Sequence, residues 1–199
     1  MPPEPWFKPL VWTDYRLAVL FTVIIPLILL IWAFVQKSDP IVRLLIIYWR
    51  VASLQAVTVY LMIAAMPISL ITGLIARILI PTSLWFWLDI NEEIDDQPQS
   101  PLKLALTSWR WAVTVHNALG TLFLIPFVGC AGYAKKDLIA NQFCSVWLEP
   151  PWAYKEYFHS NTSEDFLGFL GIVGLLIYAA YFSFFILRLS KQGRSATGQ

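Results

Sequence analysis

Two histidines, two cysteines and a few arginines inside apolar stretches are the residues of this sequence best placed to do chemistry. His116 stands within a long apolar stretch, is followed by Asn117, and has Gly120 one helical turn further on. A lone histidine at membrane depth can ligate haem iron or a chlorophyll magnesium, and Gly120 leaves one helix face open to a flat ligand. The competing reading is an interhelical hydrogen bond, a common use of His, Asn and Thr in spanning helices. No cofactor is expected, with chlorophyll or haem at His116 left open. His159, in Tyr157-Phe158-His159-Ser160, reads as a surface residue at the outer interface.

The intramembrane arginines are Arg50, Arg77 and Arg110. A charge at the bilayer centre costs at least about 2.5–3.5 kcal/mol, so such residues pair, snorkel or mark a path. For Arg77 and Arg110 the expectation is snorkelling with cation–π contact to nearby tryptophans; anion or headgroup binding is the functional alternative. Cys130 and Cys144 fall in one loop, which a disulfide would close with a gain of roughly 3 kcal/mol on a chain-entropy estimate. Their spacing fits no zinc pattern, and no metal site is expected. Glu92, Glu93, Asp95 and Asp96 form an acidic patch without the alternating spacing and central glycine of a calcium loop; a partner-facing surface is the expectation. Gly168, Gly171 and Gly174 make a flat strip suited to close helix packing, and are expected to meet a partner helix or a lipid or pigment tail.

Catalytic constellations are missing from the sequence. There is no nucleophile elbow, phosphate-cradling glycine loop, zinc-protease motif or paired buried carboxylate, and no Asp or Glu is expected inside an apolar span. An enzyme is therefore not expected. Composition supplies the class. Of 199 residues, 58% are hydrophobic and only 14% charged, against roughly 25% charged in soluble chains. The net charge of +1 gives no reason to expect nucleic acid as a partner. The lipid bilayer and other membrane proteins are the expected partners.

These residues need helices to position them. At about 20 residues per crossing, the sequence predicts an all-α, polytopic transmembrane helical bundle in a single domain. Spans are expected at about 17–35, 43–66, 104–129 and 166–187, with a basic tail over 188–199. Pro26 within the first is tolerable where neighbours satisfy the carbonyl it frees. Residues 68–87 are assigned to the interface, because a turn at Ala64-Ala65-Met66-Pro67 would offer no polar residue to the headgroups; five spans is the alternative. Residues 89–101 read as an acidic loop broken by prolines, and Thr162-Ser163-Glu164-Asp165 as a capping box. Four spans place both termini inside, five place them on opposite sides, and Lys/Arg counts do not choose. Either way the acidic loop and the tail lie inside and the cysteine loop outside. Asn161-Thr162-Ser163 matches a glycosylation acceptor, relevant only in a eukaryotic secretory route.

Several motifs carry a family resemblance: Val11-Trp12-Thr13-Asp14-Tyr15-Arg16, Tyr48-Trp49-Arg50-Val51-Ala52-Ser53-Leu54, Leu84-Trp85-Phe86-Trp87-Leu88-Asp89-Ile90-Asn91-Glu92-Glu93, Ser108-Trp109-Arg110-Trp111-Ala112 and Glu149-Pro150-Pro151-Trp152. With them the chain resembles, over nearly its whole length, an uncharacterised integral-membrane protein family of cyanobacteria. The resemblance implies residence in a thylakoid or plasma membrane and brings no established activity and no catalytic residue. The functional expectation is a non-enzymatic accessory or assembly factor docking to a larger, photosynthetic membrane complex. A small transporter or channel, and a pigment- or haem-binding membrane protein, are the alternatives.

Overall fold

The computed structural model describes residues 4–192, with side chains from Glu4 to Arg188; residues 193–199 of the expected basic tail lie outside them. The chain is all-α, and five of its helices are long and apolar enough to cross a membrane, as a multi-pass membrane protein requires. In chain order the helices are α1 (Lys8–Val35), α2 (Asp39–Ile63), α3 (Ile68–Trp85), α4 (Leu88–Asp95), α5 (Pro101–Leu124), α6 (Lys135–Ala140), α7 (Gln142–Ser145), α8 (Glu149–Phe158) and α9 (Glu164–Gln192). The five long ones are α1, α2, α3, α5 and α9.

Helix α1 starts well before the apolar run at Leu17, with Pro9 in its first turn. A π-helical turn over Leu20–Ile24 precedes Pro26. Proline has no N–H to give to the carbonyls of Phe21 and Thr22, and in lipid no water replaces it. Two other helices do so. Tyr48 Oη of α2 donates to the Thr22 carbonyl at 2.7 Å, and Trp109 Nε1 of α5 donates to the Phe21 carbonyl at 2.7 Å. The two aromatic rings meet edge-on at 5.0 Å, inside a core that includes Leu44, Leu45, Ile80 and Leu106.

The interfacial assignment of residues 68–87 is corrected. Helix α3 packs between α2 and α5 and buries one face, including Leu70, Ala76 and Ile80. The turn before it needs no polar side chain because the backbone caps itself. Ala65 takes a left-handed φ of 52°, and the Met66 N–H reaches the Leu61 carbonyl at 3.0 Å. Trp152 Nε1 of α8 donates to the Ile63 carbonyl at 3.1 Å, so the turn lies under protein. Five crossing helices fit this arrangement, rather than four with an interfacial helix.

At the end of the bundle where α3 stops, the acidic stretch is a helix, α4, and not a loop from its start. Its prolines come only at 98 and 101, while Ile90 and Ile94, one turn apart, are buried. Lys103 Nζ donates to the carbonyls of Asp95 at 2.7 Å and Gln97 at 2.8 Å. Arg43 pairs with Glu93; Glu92, Asp95 and Asp96 stay exposed. At the opposite end Cys130 and Cys144 form a disulfide, in a buried cluster that includes Phe127 and Trp147.

Helix α9 begins on a hydroxyl cap that differs from the expected box. Ser163 Oγ accepts from the Phe166 N–H at 3.3 Å, while Glu164 and Asp165 face Lys155 and Lys135. The glycine strip is used inside the chain. A Cβ on Gly171 would lie 3.1 Å from the Leu61 backbone nitrogen, and one on Gly174 3.0 Å from Val57. Gly168 meets Ala64 in the same way. The expectation that these glycines meet a partner is thus corrected: α2 of the same chain covers them.

The first and last of the described helices place Phe7 and Phe185 at opposite ends of the bundle. Phe7 contacts Phe127 and Phe143, and Lys8 Nζ lies 3.2 Å from Glu149, on the disulfide side. Phe185 reaches Trp87, 6.0 Å between rings, on the acidic side. Reporter tags on the two termini are expected to show opposite sides of the membrane, the C-terminal tag cytoplasmic. Both tags on one side would contradict five crossings.

Candidate functional site

Asp14, on the early turns of α1, is the carboxylate that sequence reasoning missed. By composition alone the apolar run begins at Leu17. Yet Val11, Ala18 and Thr22 continue a buried stripe at helical spacing back toward the start of α1, and that periodicity was the available signal. Asp14 therefore sits two helical turns inside α1, where its side chain is only 12% exposed.

Its partner is Arg77 of α3, 8% exposed. The two side chains meet as a bidentate pair: Arg77 Nη1 donates to Asp14 Oδ1 at 3.1 Å, and Nη2 donates to Oδ2. Two parallel charge-assisted bonds fix the guanidinium plane as well as its distance. The expectation of a snorkelling Arg77 stacked on tryptophan is corrected on this point. Arg110 keeps only the aromatic part of it: the side chain is buried instead of snorkelling, and the guanidinium lies 4.0 Å from the Trp85 ring centroid. It also donates to the Leu84 carbonyl at 3.1 Å and to Asn91 Oδ1 at 2.9 Å, closing the last turn of α3.

The third helix at the site is α5. Gly120 faces the ion pair so closely that a Cβ there would overlap the Arg77 guanidinium, 2.8 Å from its Cζ and 3.1 Å from Asp14 Oδ1. The open face expected for a flat ligand is therefore filled by Arg77. One turn earlier His116 lies with Nε2 3.9 Å from Asp14 Oδ1, its ring 5.7 Å from Phe21. Nε2 is buried and has no hydrogen-bond partner. Asn117 Nδ2 donates to the Val113 carbonyl of its own helix at 2.8 Å. His159 lies apart, its Nε2 3.4 Å from Tyr60 Oη.

Beside the ion pair is a pocket of about 310 Å3 between α1 and α2, with Asp14 and Arg77 in its wall. The rest of the lining is mostly apolar, with Ala18, Ala56 and Val59 among it. Trp49, Gln55 and Trp147 also line it, and Trp49 Nε1, Gln55 Oε1 and Trp147 Nε1 are buried without a hydrogen-bond partner. Such an apolar cleft with a few convergent polar groups is the usual form of a small-molecule site. Among the described residues no group of three His, Cys, Asp or Glu is placed to hold a metal. The structure thus brings Arg77, His116 and Gly120 together around Asp14. It leaves Arg50, Arg110, the glycine strip and the acidic helix elsewhere.

The family match spans residues 8–197, which takes in every helix named above. The chain belongs to the DUF3177 family, whose description is protein of unknown function. No curated protein and no solved structure matches the chain. Roles within DUF3177 must therefore be argued from the side chains themselves.

Gly120→Ala forces the guanidinium to move and is expected to cost about 1–3 kcal/mol, as overpacking of a filled interior does. Gly73→Ala on α3 is the control, because its Cβ would make ordinary contacts of 3.4–3.9 Å. Unfolding in mild detergent should separate the two variants; equal stabilities would mean that Arg77 does not occupy the Gly120 face.

Proposed function

We propose that the protein is a non-enzymatic accessory protein of a larger membrane complex, and that it holds a small lipid-soluble molecule in the pocket beside Asp14 and Arg77. The observation that carries this reading is the pocket itself, an apolar chamber of about 310 Å3 whose wall includes a buried ion pair. Ionisable groups at membrane depth are functional candidates by default, because the bilayer penalises them. The apolar lining favours a hydrocarbon body, while the indole and amide groups favour a ligand with a carbonyl or hydroxyl head. The tryptophan-bearing motifs support a cyanobacterial thylakoid or plasma membrane as its setting.

The transporter alternative drew on three arginines. Asp14 neutralises Arg77, and Arg110 is spent on the end of α3 and on Trp85, so that support weakens. The haem or chlorophyll alternative rests on His116, and the Arg77 guanidinium fills the neighbouring Gly120 face that a flat ligand would use.

Protein purified in mild detergent, extracted with organic solvent and read by mass spectrometry tests the pocket. A lipid-soluble species near one per chain is expected, falling at least tenfold in Ala56→Phe, a variant that narrows the pocket from its exposed side. Identical extracts from both, matching the bulk lipid, would remove the ligand from the account.

A further inference from the structure

We infer that Arg50 docks a transmembrane helix of another protein, one that carries a carboxylate near the bilayer centre. This deepens the accessory reading above by naming the chemistry of the partner, and it uses a surface other than the pocket.

Arg50 lies 11 residues beyond the start of α2 at Asp39 and 13 before its end at Ile63. At 1.5 Å per residue it is about 16 Å along the helix from the nearer end. A guanidinium at that depth is the most costly kind of side chain to leave in hydrocarbon. Arg50 is nevertheless exposed on the outside of the bundle. Its own chain offers it one neutral group, the Tyr181 hydroxyl of α9, 3.3 Å from Nη1. The other two arginines in apolar stretches are both compensated, Arg77 by Asp14 and Arg110 by Asn91, a carbonyl and an indole. Among the described residues, no ion pair includes Arg50.

The surface around it suits a helix. Arg50 lines a shallow groove of about 420 Å3 between α2 and α9, together with Ser53, Val57, Gly174 and Tyr178. Ser53 is small, which lets a backbone come close there, as helices associating in lipid require. The Tyr178 hydroxyl in the same groove is buried and unpartnered. A carboxylate on an incoming helix would complement the guanidinium and could accept from a tyrosine hydroxyl.

A second copy of this chain cannot supply that carboxylate. Among the described residues, Asp14 is the acidic side chain buried inside a spanning helix, and Arg77 already holds both of its oxygens. The others lie at helix ends or in the connections, as Asp39, Glu93 and Glu164 do. The occupant is therefore a different chain.

The test uses full-length protein in phosphatidylcholine vesicles with a photo-crosslinking residue at Ile177, and synthetic leucine–alanine spanning peptides. The peptides carry Glu, Gln, Lys or Leu at the centre. At least tenfold more crosslinking to the Glu peptide than to the Leu peptide is expected. Arg50→Met should abolish that preference, Arg50→Lys should retain most of it, and Arg50→Glu should transfer it to the Lys peptide. Arg50 is exposed, so these variants should fold, and unchanged lipid-soluble cargo in the same samples would report an intact pocket. Equal crosslinking to all peptides overturns the inference. So does crosslinking between two copies without peptide, which assigns the groove to self-association. Loss of the Glu preference on adding phosphatidylglycerol also overturns it, in favour of a lipid anion.

Discussion

The bidentate contact between Asp14 and Arg77 constrains much of the bundle. An unpaired charge at membrane depth is costly, and each of these two compensates the other. Their meeting requires α1 to begin at Lys8, so that Asp14 is already helical, and requires α3 to lie inside the bundle with its arginine at the same level. It also requires α5 to present no side chain there, which Gly120 satisfies. Moving α1 or α3 along its axis by a turn would strand a charge, and moving α5 would put a side chain where the guanidinium lies. Buried ion pairs of this kind contribute little net stability relative to apolar packing, but breaking one is expensive. Specifying helix register is the role that follows.

A second constraint acts on the same helix from the backbone. Pro26 leaves the Phe21 and Thr22 carbonyls without intrahelical donors, and Trp109 and Tyr48 take them over. Helix α1 is thus tied to α3 by charge near one end, and to α2 and α5 by hydrogen bonds near its middle. The pocket opens between α1 and α2, on the side of α1 near Asp14. The disulfide and the aromatic cluster around Phe127 close that end of the bundle.

Much of the architecture was legible before the structure. Uncharged runs such as Leu17–Val35 mark spans by composition alone, and two cysteines in one outer loop mark a bridge. Arg110 between Trp109 and Trp111 advertised its aromatic neighbourhood, though the ring it covers is Trp85. Other features were hidden for physical reasons. The turn at Ala64–Pro67 is apolar because its polar groups are backbone atoms capped by a left-handed Ala65 and by Trp152, 89 residues away in sequence. Asp14 precedes the apolar run and its partner lies 63 residues on, so the run itself does not mark it as part of the bundle. The glycines of α9 correctly announced close packing, but one sequence cannot say whether the neighbouring helix belongs to the same chain.

A double-mutant cycle on Asp14 and Arg77, read by reversible unfolding in mild detergent, tests the central claim most directly. Asp14→Asn alone and Arg77→Met alone should each cost about 3–5 kcal/mol, because each leaves a buried charge unpaired. Asp14→Asn with Arg77→Met should cost less than either single change, since no lone charge remains. A double variant that loses the sum of the two single losses would contradict the account, because the residues would then act independently and could not fix the relative positions of the helices.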